Sequence, residues 1–145
     1  MCKYCFIGKL NTKTVKMKKE TLLNAIDLFN LHLESINEGG TIFFYGAEPL
    51  LNFELIKFGV NYIKKKNYNI KFSMVSNGIL LNEQKADFIK ENNISLGISI
   101  DGPKEVNDKI EFLKRKRKVY MDIVLKKYLE LNQEYIQVKN LLIIC

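Results

Sequence analysis

No part of this sequence stays apolar for long. The longest uninterrupted run is Leu141-Leu142-Ile143-Ile144-Cys145, whereas a membrane-spanning helix needs ~20 such residues, so no segment is expected to cross a bilayer. The opening residues, Met1-Cys2-Lys3-Tyr4-Cys5-Phe6, lack the apolar core of about 7–15 residues that marks a secretory signal, and a cytoplasmic location is expected. Cysteine is sparse and odd in number, three in 145 residues, with no spacing that suggests a disulfide framework. Histidine occurs once, at His32, which leaves a four-ligand zinc site short of donors. Arginine is confined to Arg115 and Arg117, so the formal net charge of +7 rests mostly on lysine. That lysine excess, in a chain also rich in Asn and Ile, fits the codon bias of an AT-rich genome better than a nucleic-acid footprint. The basic run Lys114 to Lys118 has no interleaved aromatics and reads as a solvated loop.

What is present is ordinary for a globular protein: 47% hydrophobic and 27% charged residues. A chain of this length points to one domain, residues 1–145. Leu22, Ala25, Ile26, Phe29, Leu33 and Ile36 recur at helical spacing and predict a helix over Lys19–Ile36, closed by Gly39-Gly40. Thr41 to Tyr45 follows as a β-branched and aromatic strand of the kind buried on both faces. Asn52 is a candidate N-cap for a second helix with Phe53, Ile56, Val60 and Ile63 as its buried stripe. Ile70 to Val75 reads as a strand broken by Asn77-Gly78. Asn82 can cap a third helix reaching about Glu91, and Ile94 to Ile100 is the next strand, stopped by Asp101-Gly102-Pro103. Beyond the charged segment, Tyr120, Ile123, Val124, Tyr128 and Leu131 suggest a fourth helix and Ile136 to Ile144 a fourth strand. Strands separated by a helix cannot form hairpins, so the expected sheet is parallel with right-handed crossovers.

In parallel α/β folds, ligands bind at the carboxyl ends of the strands. The sequence puts its unusual residues there: Gly46-Ala47-Glu48-Pro49, then Ser76-Asn77-Gly78, then Asp101-Gly102-Pro103. Each alone is compatible with a turn or a solvated acid. The Cys2-x-x-Cys5 pair alone is compatible with zinc, an iron–sulfur cluster, a redox pair, or no function. Their order along the chain resembles the radical S-adenosylmethionine (SAM) superfamily, within it the peptide and protein maturases that carry a SPASM domain, anaerobic sulfatase-maturating enzymes included. The resemblance implies an α/β fold, a partial parallel (β/α) barrel of the radical SAM type with about four strands present.

It also implies cofactors, a [4Fe-4S] cluster and SAM. Cys2 and Cys5 match the second and third cysteines of the family's Cys-x-x-x-Cys-x-aromatic-Cys motif, and Tyr4 matches its aromatic residue. Thiolates are the soft donors that such clusters need. The first motif cysteine would fall before Met1, and the SPASM domain has no counterpart, so the sequence is expected to be an N- and C-terminally truncated member. Gly46, Ala47, Glu48 and Pro49 match the Gly-Gly-Glu-Pro motif that receives the SAM amine, with Ala47 in place of the second glycine. An ammonium needs converging oxygen acceptors, which a carboxylate beside strand-end carbonyls supplies. Asn77 matches the asparagine of the family's Thr-Asn-Gly, and Ser99 matches a position that often carries a polar side chain near SAM. The function implied is generation of a 5′-deoxyadenosyl radical for peptide or protein maturation. A peptide or protein substrate and a reductant such as flavodoxin or ferredoxin would be its partners. The alternative is a catalytically inactive remnant acting as a peptide-binding or other non-catalytic module. His32, one residue off the apolar stripe of its helix, is expected at the surface, and Cys145 reads as a buried strand residue.

Overall fold

A computed structural model of the chain describes residues 16–46 and 48–99. The elements in order are α1 (Lys19–Ile36), β1 (Gly40–Phe44), a 3-10 turn (Pro49–Asn52), α2 (Phe53–Lys66), β2 (Ile70–Ser76), α3 (Glu83–Glu91) and β3 (Ser95–Ile98). The fourth helix and fourth strand anticipated from the sequence lie outside the described residues.

Helix α1 has the bounds that its periodicity predicts, with Glu20 in the first turn, where the helix dipole favours an acid. It closes earlier than Gly39-Gly40. Asn37 takes the left-handed conformation at φ 54° and its N–H bonds back to the carbonyls of Leu33 and Glu34; asparagine tolerates that conformation better than most residues. The buried stripe is also narrower than predicted. Ile26 and Leu33 are buried, Leu22 and Phe29 half-buried, and Ala25 and Ile36 exposed. His32 is exposed, as expected.

Helix α2 buries Phe53, Ile56, Val60 and Ile63, the stripe read from the sequence. Asn52 stands before it but makes no side-chain cap. The chain enters α2 through the 3-10 turn, whose first residue is Pro49, where the fixed φ of proline suits a helical start and its missing N–H leaves nothing unpaired. At the far end Lys64, Lys65 and Lys66 lie in the last turn, a favourable place for cations. Asn82 caps α3 as expected, its Oδ1 accepting from the Lys85 amide at 3.0 Å.

The three strands form one parallel sheet in the order β1-β2-β3. Gly40 pairs with Ile70 and Phe44 with Met74, while Ser73 pairs with Ser95 and Ser76 with Ile98. This register lines up Ile42, Phe44, Ile70, Phe72, Met74, Leu96 and Ile98 on one face. Against that face pack Ile26 and Leu33 of α1, Ile56, Val60 and Ile63 of α2, and Ala86 and Ile89 of α3. Val60 and Met74 are wholly buried, each contributing about 1.5–3 kcal/mol of burial.

The other face differs from expectation. β1 alternates between half-buried and exposed residues instead of being buried on both sides. Phe43 is 51% exposed, and its ring stacks on Tyr45 with centroids 5.7 Å apart. The reason is architectural: the described helices all cover one face, and the second face belongs to the inside of an open, partial barrel. Period-two alternation, not a continuous apolar run, is what such a half-covered strand shows.

At the amino end of the sheet, α1 and α2 are tied by a single carboxylate. Asp27 accepts from the Tyr62 hydroxyl through both oxygens at 2.9 Å and from the Tyr68 hydroxyl at 3.0 Å. The bond to Asp27, with partial burial and the nearby negative charge behind it, pushes the Tyr62 phenol up to about 12. Burial and the same acid raise Tyr68.

Candidate functional site

One acid joins the carboxyl ends of β1 and β2. Glu48 follows β1 in extended backbone conformation. Its Oε1 accepts from the Leu50 amide at 3.0 Å and from the Ser76 hydroxyl at 2.8 Å. Its Oε2 accepts from the Asn77 amide at 3.0 Å. The loop after β1 is thereby fastened to the end of β2. β3 joins through the Ser99 amide, which donates to the Ser76 carbonyl at 2.9 Å.

Local sequence explains the shape of these loops. Gly46 has φ 153°, and a Cβ built there would meet none of the described residues within 4 Å, so among them the position is restricted by backbone conformation. Among the described residues nothing fills the space in front of that backbone, which leaves room for a ligand to approach it closely. The Asn77-Gly78 turn is built by side-chain mimicry. Asn77 Oδ1 accepts from the Ile79 amide at 3.0 Å, an Asx turn, and Gly78 takes φ 74°. The Gly78 amide donates to Ser76 Oγ at 3.0 Å.

Of the residues singled out in the sequence, Gly46, Glu48, Asn77 and Ser99 therefore lie at one end of the sheet, with Glu48 directly bonded to the Asn77 backbone. Cys2, Tyr4, Cys5 and Ala47 lie outside the described residues. Ser76 was noted only as part of the Ser76-Asn77-Gly78 break, with no role given to it, and the Leu50 amide was not singled out. Ser76 is only 2% exposed, and the one signal in the sequence was a hydroxyl residue immediately before the Asn-Gly break. Among the described residues no three His, Cys, Asp or Glu side chains come together as a metal site, and no helix is long and apolar enough to cross a membrane.

A carboxylate has about four acceptor positions. Three of those on Glu48 are filled, two on Oε1 and one on Oε2, which leaves capacity on Oε2 for a cationic donor. Beside it stands the open backbone at Gly46. This acceptor set fits the amine of an amino-acid-like ligand bound at the end of a parallel sheet.

The radical SAM superfamily profile matches residues 1–144. The chain belongs to the radical SAM superfamily. That family's cofactors are SAM and a four-iron four-sulfur cluster, the pair expected from the motif order. An uncharacterised protein of Methanocaldococcus jannaschii is 42% identical over 109 residues, covering 74% of this chain and 36% of the relative. A cysteine-type anaerobic sulfatase-maturating enzyme of Clostridium novyi is 34% identical over 114 residues, covering 74% of this chain and 30% of that enzyme. Among solved structures, anSMEcpe with bound AdoMet superposes with a TM-score of 0.71 at 27% identity, over 92% of this chain and 36% of the other. The chain thus spans about a third of the length of these relatives.

Proposed function

We propose that residues 1–145 form part of a radical SAM core domain that binds SAM and a [4Fe-4S] cluster and serves peptide or protein maturation. The observation that carries this reading is the grip on Glu48 from its own loop and the end of β2, beside the backbone of Gly46, with the end of β3 joined through Ser76. The similarity to anaerobic sulfatase-maturating enzymes supports the choice of substrate class. One solved anSMEcpe structure holds both AdoMet and the Cp18Cys peptide, at 26% identity to this chain.

In this reading each residue has a limited task. Glu48 Oε2 accepts a hydrogen bond from the SAM ammonium, a charge-assisted contact. Gly46 lets the ligand approach the main chain. Asn77 holds the turn that closes the site from the β2 side, and Ser99 contributes a hydroxyl from the end of β3. Cys2 and Cys5 are the candidate iron ligands, with Tyr4 beside them. The bound cofactors supply one-electron reductive cleavage of the sulfonium and, through it, hydrogen abstraction from the substrate; a flavodoxin or ferredoxin would deliver the electron.

The test is iron, acid-labile sulfide and SAM binding per chain after anaerobic reconstitution, with Cys2→Ala and Cys5→Ala beside the unsubstituted chain. Bound iron that falls in both variants, together with SAM binding, is the expected result. A chain that binds peptide but neither iron nor SAM would overturn this reading in favour of a non-catalytic peptide-binding module.

A further inference from the structure

Ser76 occupies an unusual position in the hydrogen-bond pattern. It is the last residue of β2 and one of the few buried polar residues of the described chain. Its hydroxyl donates to Glu48 Oε1 at 2.8 Å and accepts from the Gly78 amide at 3.0 Å. Its carbonyl accepts from the Ser99 amide at 2.9 Å. One residue therefore touches the loop after β1, the turn after β2 and the end of β3.

The direction of the hydroxyl proton is fixed by its neighbours. The Gly78 N–H can only donate, so it takes a lone pair of Oγ, and the carboxylate of Glu48 can only accept, so it takes the proton. A serine in this setting has little freedom to turn elsewhere. The carboxylate, held at Oε1 by Ser76 and Leu50 and at Oε2 by Asn77, has little freedom either. Its remaining acceptor is presented in one direction before any ligand arrives, and preorganisation of this kind raises affinity by lowering the ordering cost of binding.

We propose that Ser76 is a positioning residue for the SAM site: its buried hydroxyl orients the Glu48 carboxylate for the ligand ammonium. This inference rests on the reading of Glu48 as the SAM acceptor. It predicts that the hydroxyl matters for affinity only while the carboxylate is present. A residue that merely stabilises the fold would change unfolding without that dependence.

The experiment is SAM titration by calorimetry on the anaerobically reconstituted chain, with thermal unfolding of the same samples without SAM. Ser76→Ala is expected to weaken SAM binding about tenfold, as loss of a buried hydrogen bond to a charged group implies. Ser76→Thr keeps the hydroxyl and is expected to bind within about twofold of the unsubstituted chain, the same hydrogen bond being retained. In a Glu48→Ala background, adding Ser76→Ala is expected to change the residual affinity by less than about twofold, the signature of two residues acting through one contact. If Ser76→Ala does not fold, Ser76→Cys, which retains a weak donor of similar size, takes its place with a smaller loss in the same direction. SAM affinity unchanged in Ser76→Ala or Ser76→Cys, or an equal loss with and without Glu48, overturns the positioning role alone. Failure of the unsubstituted chain to bind SAM overturns the assigned function, and this inference with it.

Discussion

The two ends of the sheet are each organised by one carboxylate, yet the two are built differently. At the amino end Asp27 is held by the phenols of Tyr62 and Tyr68, side chains that reach it from α2 and from the segment before β2. At the carboxyl end Glu48 is held by two main-chain amides and a buried serine hydroxyl. Phenols on packed elements tie those elements together, and the carboxylate between them serves as a clasp. Amides at strand ends are set by the sheet itself, so the acid that they grip is placed as accurately as the strands are. The first arrangement stabilises; the second presents a charge.

Substitutions sharpen that contrast in order of size. Glu48→Ala leaves the Ser76 hydroxyl and two amides without their acceptor and is expected to cost about 3 kcal/mol in denaturant unfolding, together with most SAM affinity by titration. Gly46→Ala forces a side-chain residue to φ 153°, at about 2 kcal/mol; a variant with unchanged stability would show that the loop relaxes instead. Asp27→Ala is expected to cost about 1 kcal/mol and to leave SAM affinity within about twofold, since the hydrogen bonds it removes lie at the other end of the sheet. A large affinity loss there would break the division between clasp and site.

The smallest effect concerns pH. The folded-state Tyr62 phenol titrates at about 12 against an ordinary 10.0. The fold therefore favours the protonated phenol, and this contribution is complete below pH 10 and fades as the pH rises towards 12. Alkaline unfolding curves should show a shallower loss over that interval in Tyr62→Phe than in the unsubstituted chain. Identical slopes would mean that the hydrogen bond to Asp27 does not survive in solution.

Much of the fold was legible because helix periodicity is a local property. The bounds of α1 and the stripe of α2 follow from apolar spacing, and the Asn82 cap follows from a side chain that needs only its own first turn. Asn52 misled for the same reason: an asparagine before an apolar run has the chemistry of a cap, but Pro49 brings the chain in through a 3-10 turn and the side chain is not used. The open face of β1 was illegible. Phe43 and Phe44 are chemically alike, and only the placement of the helices decides that Phe43 is exposed and Phe44 packs inward.

The candidate site divides in the same way. Gly46, Glu48, Asn77 and Ser99 were recognisable from motif order, because a parallel βαβ chain must bring successive strand ends to one edge. The parallel pairing of the strands, their helical crossovers and the end of the sheet that carries the candidate site were therefore determined by sequence alone. That Glu48 is gripped from two loops, and that Ser76 does part of the gripping, was decided only by tertiary structure. The reason is distance along the chain: Ser76 and Glu48 are 28 residues apart, and no local preference encodes a hydrogen bond that exists only once β1 and β2 have paired.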